Sequence, residues 1–207
     1  MEQILSNIFR FTLSDFYTNN YCIIKNDKVL VIDCTISYPI INFIKKNNLK
    51  LVGVILTHGH VDHICGVKNL IKETHIKPIL NNLDDIQIKI SQQIYREYGF
   101  TEHPEFEYNH IEEGKIKIDE FEIEIIHTPG HTQGSISLII DKILFSGDTI
   151  FRESIGRTDL IGGCFNTLIN SIKQKIIILP EDTIILPGHG ELTTVKHEKV
   201  NNPFISV

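Results

Sequence analysis

Between Thr57 and Gly66 the chain reads THGHVDHICG, so His58, His60, Asp62 and His63 fall within six residues. Neutral imidazole nitrogen and carboxylate oxygen are together suited to binding Zn, Fe or Mn. Three later stretches supply partners: TPGHT with His131, SGDT with Asp148, and PGHG with His189. Divided by position, His58, His60 and His131 would give one ion three imidazoles. Asp62, His63 and His189 would give a second ion two imidazoles and a carboxylate, and Asp148 could bridge both. No cysteine is in the set, whereas closed structural zinc sites often use thiolates. A set that leaves positions open for water is catalytic in type. His75, His103, His110 and His197 stand alone and are read as surface or core residues. His127, before TPGH, is read as a support for the site, and Cys65 as a packed small side chain.

Something has to carry these turns to one place. Leu51–Leu56 (LVGVIL) is continuously apolar, as in a strand buried on both faces, and runs into His58. Phe121–His127, Ile143–Phe145 and Thr183–Leu186 are further strand-like runs, ending respectively before His131, Asp148 and His189. Each ends in a short glycine-containing turn, which lets the backbone reverse sharply. Tyr21–Lys25 and Val29–Asp33 flank an Asn26-Asp27 turn, and Ser135–Ile140 completes the strand-like segments. Helical spacing is expected over Ile40–Lys46, Ile64–Ile71, Asp84–Tyr98 (ended by Gly99) and Phe165–Lys175, with 100–114 as a polar loop. Strands mixed with helices predict a layered α/β architecture in one domain over 1–207.

The whole chain narrows the partners. It has 207 residues, 42% hydrophobic and 22% charged, with a formal net charge of -6. An acidic balance without a basic tract argues against nucleic acid or an anionic membrane as the main partner. A small anionic substrate held by a few placed cations remains compatible. Cys22, Cys34, Cys65 and Cys164 show no disulfide spacing and read as free thiols. MEQILSNIFRF lacks a basic leader before an apolar core, and no apolar run is long enough to span a bilayer. The expectation is a cytoplasmic protein.

In this order, THGHVDH, TPGHT, SGDT and PGHG resemble the metallo-β-lactamase superfamily over nearly the whole chain. The resemblance implies a four-layer αβ/βα sandwich and carries the ligand roles onto His58, His60, Asp62, His63, His131, Asp148 and His189. FSGDTIFRESIGRTDLIGG and PGHGELTTVKHEKVNNPF are most similar to the short, single-domain bacterial type II glyoxalases. That implies a thioesterase splitting an S-2-hydroxyacylglutathione, such as S-lactoylglutathione, into a hydroxy acid and glutathione. It implies two divalent ions, zinc first, with iron or manganese as the other choices. Water held by them would be activated towards hydroxide, with Asp62 as both ligand and catalytic orienting group. Arg157 either contacts a substrate carboxylate or pairs with Asp159. The partner implied is a small-molecule thioester, and the protein a monomer or small homo-oligomer.

Two departures stand out. The residues after His189 hold no counterpart of the helical region that helps longer glyoxalase II enzymes bind glutathione. Asp33-Cys34-Thr35 stands where relatives often have Asp-Pro-Gly; Asp33 is either a brace for the metal loop or a strand-end carboxylate at a turn. A rival chemistry uses His58, His131 and Asp148 as a two-histidine, one-carboxylate iron set. Persulfide dioxygenases of the same superfamily use such a set, and they too show a Gly-Arg-Thr-Asp segment. Superfamily nucleases share H-x-H-x-D-H but usually add RNA-binding segments, for which the acidic balance offers no support.

Overall fold

The structure is a computed structural model, and residues 1–205 are described. They fall into two compact units: Met1–Ile111 with Ile118–Phe121, and Glu112–Lys117 with Glu122 onward.

The first unit is built on a sheet whose seven strands follow chain order. They are β1 (Glu2–Leu5), β2 (Ile8–Leu13), β3 (Thr18–Lys25), β4 (Lys28–Ile32), β5 (Lys50–Ile55), β6 (Ile79–Asn81) and β7 (Asn109–Ile111). β1 to β4 pair antiparallel through short turns, and Asn26 takes the positive φ (54°) that the β3–β4 turn needs. β4, β5, β6 and β7 pair parallel. Parallel pairing demands crossovers. These are α1 (Ser37–Lys46), the pair α2 (Val61–Ile64) and α3 (Val67–Thr74), and α4 (Asp85–Ile94). Ile40, Ile41, Phe43 and Ile44 of α1 and Val67 and Leu70 of α3 form one core with Cys22, Val29, Val31, Leu51 and Val54 of the sheet. A register shift in the β4–β5 ladder matches Val29 to Leu51 and Leu30 to Gly53. The extra residue lets Leu51 and Val54, three apart, serve the same core.

The second unit carries β8 (Gly114–Ile118) up to Lys117, β9 (Phe121–His127) from Glu122, β10 (Ile136–Ile140), β11 (Ile143–Gly147), β14 (Ile184–Pro187) and β15 (Thr193–Thr194) in one sheet. Between β11 and β14 come a two-stranded ribbon, β12 (Ile150–Phe151) with β13 (Ser154–Ile155), and α5 (Phe165–Ser171); α6 (Val195–Asn201) follows β15. The sheet order is β15-β14-β11-β10-β9-β8. α5 continues through a π-helical turn, Ile172–Ile176, so Leu168, Ile172 and Ile176 repeat at four-residue spacing and pack on Ile126, Leu144 and Ile185. Each such fully buried side chain contributes about 1.5–3 kcal/mol of hydrophobic stabilisation.

Several sequence expectations need correction. The polar stretch 100–114 is not all loop: Asn109–Ile111 forms β7 at the sheet edge, and β8 starts at Gly114. A three-residue edge strand held by backbone pairing alone needs no apolar alternation. α4 stops at Ile94, four residues before Tyr98, and the chain reaches Gly99 through turns. The helix expected over Ile64–Ile71 is two helices with a break at Cys65-Gly66. No sequence expectation covers β1, β2, β6, β8, β12, β13, β15 or α6. Among the described residues, no helix is long and apolar enough to cross a membrane.

Candidate metal centre

Topology explains the first ligand group. β4, β5 and β6 are parallel and β3 runs against β4. Four chain positions therefore share one end of this sheet: the start of β3 (Thr18), and the residues after β4 (Asp33), after β5 (Thr57, His58) and after β6 (Asp84). The turn from β5 into α2 supplies His58, His60, Asp62 and His63. His58 and His63 are fully buried. The ligand atoms of His58 and His60 come within 4.8 Å of each other, as do those of Asp62 and His63.

Hydrogen bonds show which ring nitrogen His58 and His63 offer. Asp33, 1% exposed, accepts from the Thr57 N–H (2.8 Å), the Thr57 hydroxyl (2.8 Å) and His63 Nδ1 (2.7 Å). An ionised carboxylate only accepts, so Nδ1 of His63 carries a proton, and the neutral ring keeps its lone pair on Nε2. The Thr57 hydroxyl has spent its one proton on Asp33. Its oxygen therefore accepts from His58 Nδ1 at 3.1 Å, which fixes the same tautomer in His58. Asp33 is thus the brace, orienting His63 directly and His58 through Thr57. Asp62 Oδ2 accepts the Thr18 hydroxyl at 2.8 Å and lies 3.5 Å from His63 Nε2.

The second unit repeats the logic. β9 and β11 both run against β10, and β14 runs parallel to β11. The ends of β9, β11 and β14 therefore share one sheet edge, and they carry His131, Asp148 and His189. Asp148 Oδ2 lies 3.5 Å from His131 Nε2 and 3.4 Å from His189 Nε2. His131 Nδ1 donates to the Arg157 carbonyl at 2.8 Å, which again leaves the lone pair on Nε2. Gly130 shapes this turn. Its φ is 134°, and a Cβ there would stand 2.3 Å from the Leu168 backbone nitrogen of α5.

The donor set fits divalent ions. Charge-assisted hydrogen bonds run about 2.7–2.9 Å, shorter than the 3.4–3.5 Å between these imidazole nitrogens and carboxylate oxygens. Two donors each about 2.1 Å from a tetrahedral ion lie about 3.4 Å apart. The buried imidazoles have their far nitrogens tied to fixed acceptors, the usual preparation of a metal-binding histidine.

Other sequence-marked residues fall outside the two groups. The Arg157 guanidinium pairs with Asp159 through two 2.8 Å bonds on the exposed surface. Those bonds hold the Asp159 carboxyl down at about 2. His127 bonds the Gln133 carbonyl, His110 bonds Asp85, His197 bonds Glu153, and His75 ends α3 with a φ of 59°. Cys65 is fully buried with Val61, Tyr95 and Phe100. Sequence reading missed Thr18, Thr57, Asp84 and Ser91. Thr57 alone carried a signal, as the residue just before the first ligand.

Comparison with known proteins agrees with this geometry. The family model described as the Metallo-beta-lactamase superfamily matches residues 13–189. A Bacillus subtilis protein called probable metallo-hydrolase YqgX is 35% identical, over 95% of this chain and 96% of its own. The Haemophilus influenzae hydroxyacylglutathione hydrolase GloC is 38% identical, over 81% and 82%. The solved structure of TTHA1623 in a di-iron-bound form superposes with a TM-score of 0.87 at 30% identity, covering 95% of this chain and 99% of that one. On this match, and with two His/Asp ligand groups prepared for metal, the chain belongs to the metallo-β-lactamase superfamily and has its mixed α/β fold, as a metallo-hydrolase.

Proposed function

We propose that this metallo-hydrolase is a thioesterase of the glyoxalase II type. His58, His60, Asp62, His63, His131, Asp148 and His189 would hold two divalent ions, with zinc, iron or manganese all suited to the donors. The observation that carries the reading is the all-imidazole-and-carboxylate ligand set with its Nε2 lone pairs fixed by Asp33, Thr57 and the Arg157 carbonyl. The 38% identity to a hydroxyacylglutathione hydrolase supports the thioester choice.

When bound, such ions supply Lewis acidity and a nucleophile at neutral pH. The protein's own groups do the rest. Asp33 keeps the protons of two imidazoles on the Nδ1 side. Thr18 fixes the Asp62 carboxylate, which can orient an attacking water by accepting its hydrogen bond. A thioester releases a thiolate, whose conjugate acid has a pKa of about 8.5, so departure needs no strong proton donor. That suits a site whose carboxylates are committed as ligands. Arg157 is the cation for a substrate carboxylate. Its present partner Asp159 is solvent-exposed, and such a pair is held weakly enough for a substrate carboxylate to compete. The partner proposed is a small anionic thioester; neither nucleic acid nor a membrane is required.

The test is turnover of S-lactoylglutathione beside a panel of other acyl-thioesters, a β-lactam and a glutathione persulfide. Thioester hydrolysis, abolished by His58→Ala, is expected. Oxygen consumption with the persulfide and no thioester turnover would replace this reading with an iron oxygenase.

A further inference from the structure

Asp84, Gln87, Ile88 and Ser91 stand at i, i+3, i+4 and i+7 and form one stripe along α4 and its first turn. All four are buried, with exposures of 0%, 2%, 3% and 1%. A buried helical stripe is ordinarily apolar, because polar groups removed from water cost stability unless they are hydrogen-bonded. Three of these four positions are polar, and two of them hydrogen-bond one and the same residue. Gly59 N–H donates to Asp84 Oδ2 at 2.7 Å, and the Ser91 hydroxyl donates to the Gly59 carbonyl at 2.8 Å. The contact is also tight. A Cβ at residue 59 would stand 2.8 Å from Gln87 Cβ and 3.2 Å from both the Asp84 carbonyl and the Ile88 nitrogen.

Gly59 is the residue between His58 and His60. We infer that Asp84 and Ser91 are positioning residues that clamp the Gly59 backbone, and so set how His58 and His60 are presented to the first metal ion. The inference rests on the ligand assignment proposed above. Side chains at one and the same ion must be placed within a few tenths of an ångström. A residue gripped at both its N–H and its C=O has little freedom to rotate. Asp84 stands at the N-cap position of α4, but its side chain makes no cap bond there and reaches the Gly59 N–H instead. The assignment gives the segment after β6 a role that its sequence does not announce: it is the template against which the metal-binding turn is cast.

The experiment is a cobalt(II) titration of the metal-stripped protein, followed by visible absorption and by competition with a chromophoric chelator, with no substrate present. The variants are Ser91→Ala, Ser91→Thr and Asp84→Asn. Ile176→Ala, in the other compact unit and two helical turns beyond the contact with the His131 turn, controls for lost stability alone. The wild type should take up two ions. Ser91→Ala should weaken one of them by about tenfold to a hundredfold, leave the other unchanged, and alter the absorption of the weakened site. Ser91→Thr, which retains the hydroxyl, should restore it. If Ser91→Ala does not fold, Asp84→Asn is read in the same way, since it keeps an acceptor oxygen but loses the charge. Unchanged affinity for both ions, or a loss no different from that of Ile176→Ala, would overturn the clamp and leave the ligand assignment standing. A wild-type chain that takes up no cobalt would overturn the ligand assignment and the clamp with it.

Discussion

Replacing Asp33 by Asn is the most instructive perturbation of the metal-binding turn. The side chain keeps its size and its place at the end of β4, but one acceptor oxygen becomes an amide donor. Asp33 Oδ1 serves the Thr57 N–H, and Oδ2 serves both the Thr57 hydroxyl and His63 Nδ1. The carboxamide oxygen in Asp33→Asn can retain only one side of this arrangement. With its NH₂ towards His63, the imidazole must accept at Nδ1, and its proton moves to Nε2, the nitrogen needed for the metal. The Thr57 hydroxyl loses its acceptor as well, so the tautomer of His58 is no longer fixed. Loss of such an orienting group costs about tenfold to a hundredfold in metal affinity, equivalent to about 1.4–2.7 kcal/mol. Apart from metal, losing a buried bond to a charged acceptor costs about 1.5–3 kcal/mol of folding stability. Calorimetric titration of the metal-stripped variant measures the first quantity, and denaturant unfolding of the same sample the second. An Asp33→Asn variant that binds both ions as tightly as the wild type would refute the tautomer argument, whatever its stability.

Three further outcomes are expected. Thr18→Val, which removes the donor to Asp62 while preserving shape, should lower kcat by about tenfold or more with little change in KM, and Thr18→Ser should recover it; equal loss in Thr18→Ser would make Thr18 a packing residue. Burial pushes the Cys22 and Cys34 thiols well up and Cys65 to about 12, whereas hydrogen bonds from Thr167 lower the exposed Cys164. A thiol-alkylating reagent at neutral pH should therefore label Cys164 first in the native protein, as read by peptide mass spectrometry. The Arg157 pair holds the folded pKa of Asp159 below its unfolded value. Its contribution is therefore present above the ordinary aspartate range and lost as pH falls through about 2. Carboxyl NMR should show that midpoint return to the ordinary range in Arg157→Gln, a variant that should also raise KM for an anionic thioester.

The legibility of this chain followed the physics of each feature. The candidate ligands stand out in the sequence because imidazole and carboxylate side chains crowd a strand end for few reasons other than metal binding. β5 and β9 were legible because buried strands leave continuous or alternating apolar runs. β7 and β6, three residues each, are held by backbone pairing to parallel neighbours, which leaves no pattern in side-chain type. The supporting residues were hidden for another reason. Thr18 is 44 residues from Asp62, and Asp84 is 25 from Gly59. Only the parallel order of β4, β5 and β6, with β3 reversed beside them, brings those positions to one end of the sheet. Asp33 lay between the two cases: the sequence allowed a brace or a plain turn carboxylate, and three hydrogen bonds decide for the brace. Arg157 shows the converse, because its marked side chain sits on Asp159 while its unremarked carbonyl orients His131.

On the proposed function, hydrolysis by this chain depends on ions held by these histidines and aspartates. That dependence is tested most directly by measuring bound metal and S-lactoylglutathione turnover on the same preparation, before and after chelation and again after metal is restored. Two ions per chain, turnover lost with the metal, and recovery on reconstitution are expected. Full turnover by the metal-free protein would contradict that dependence.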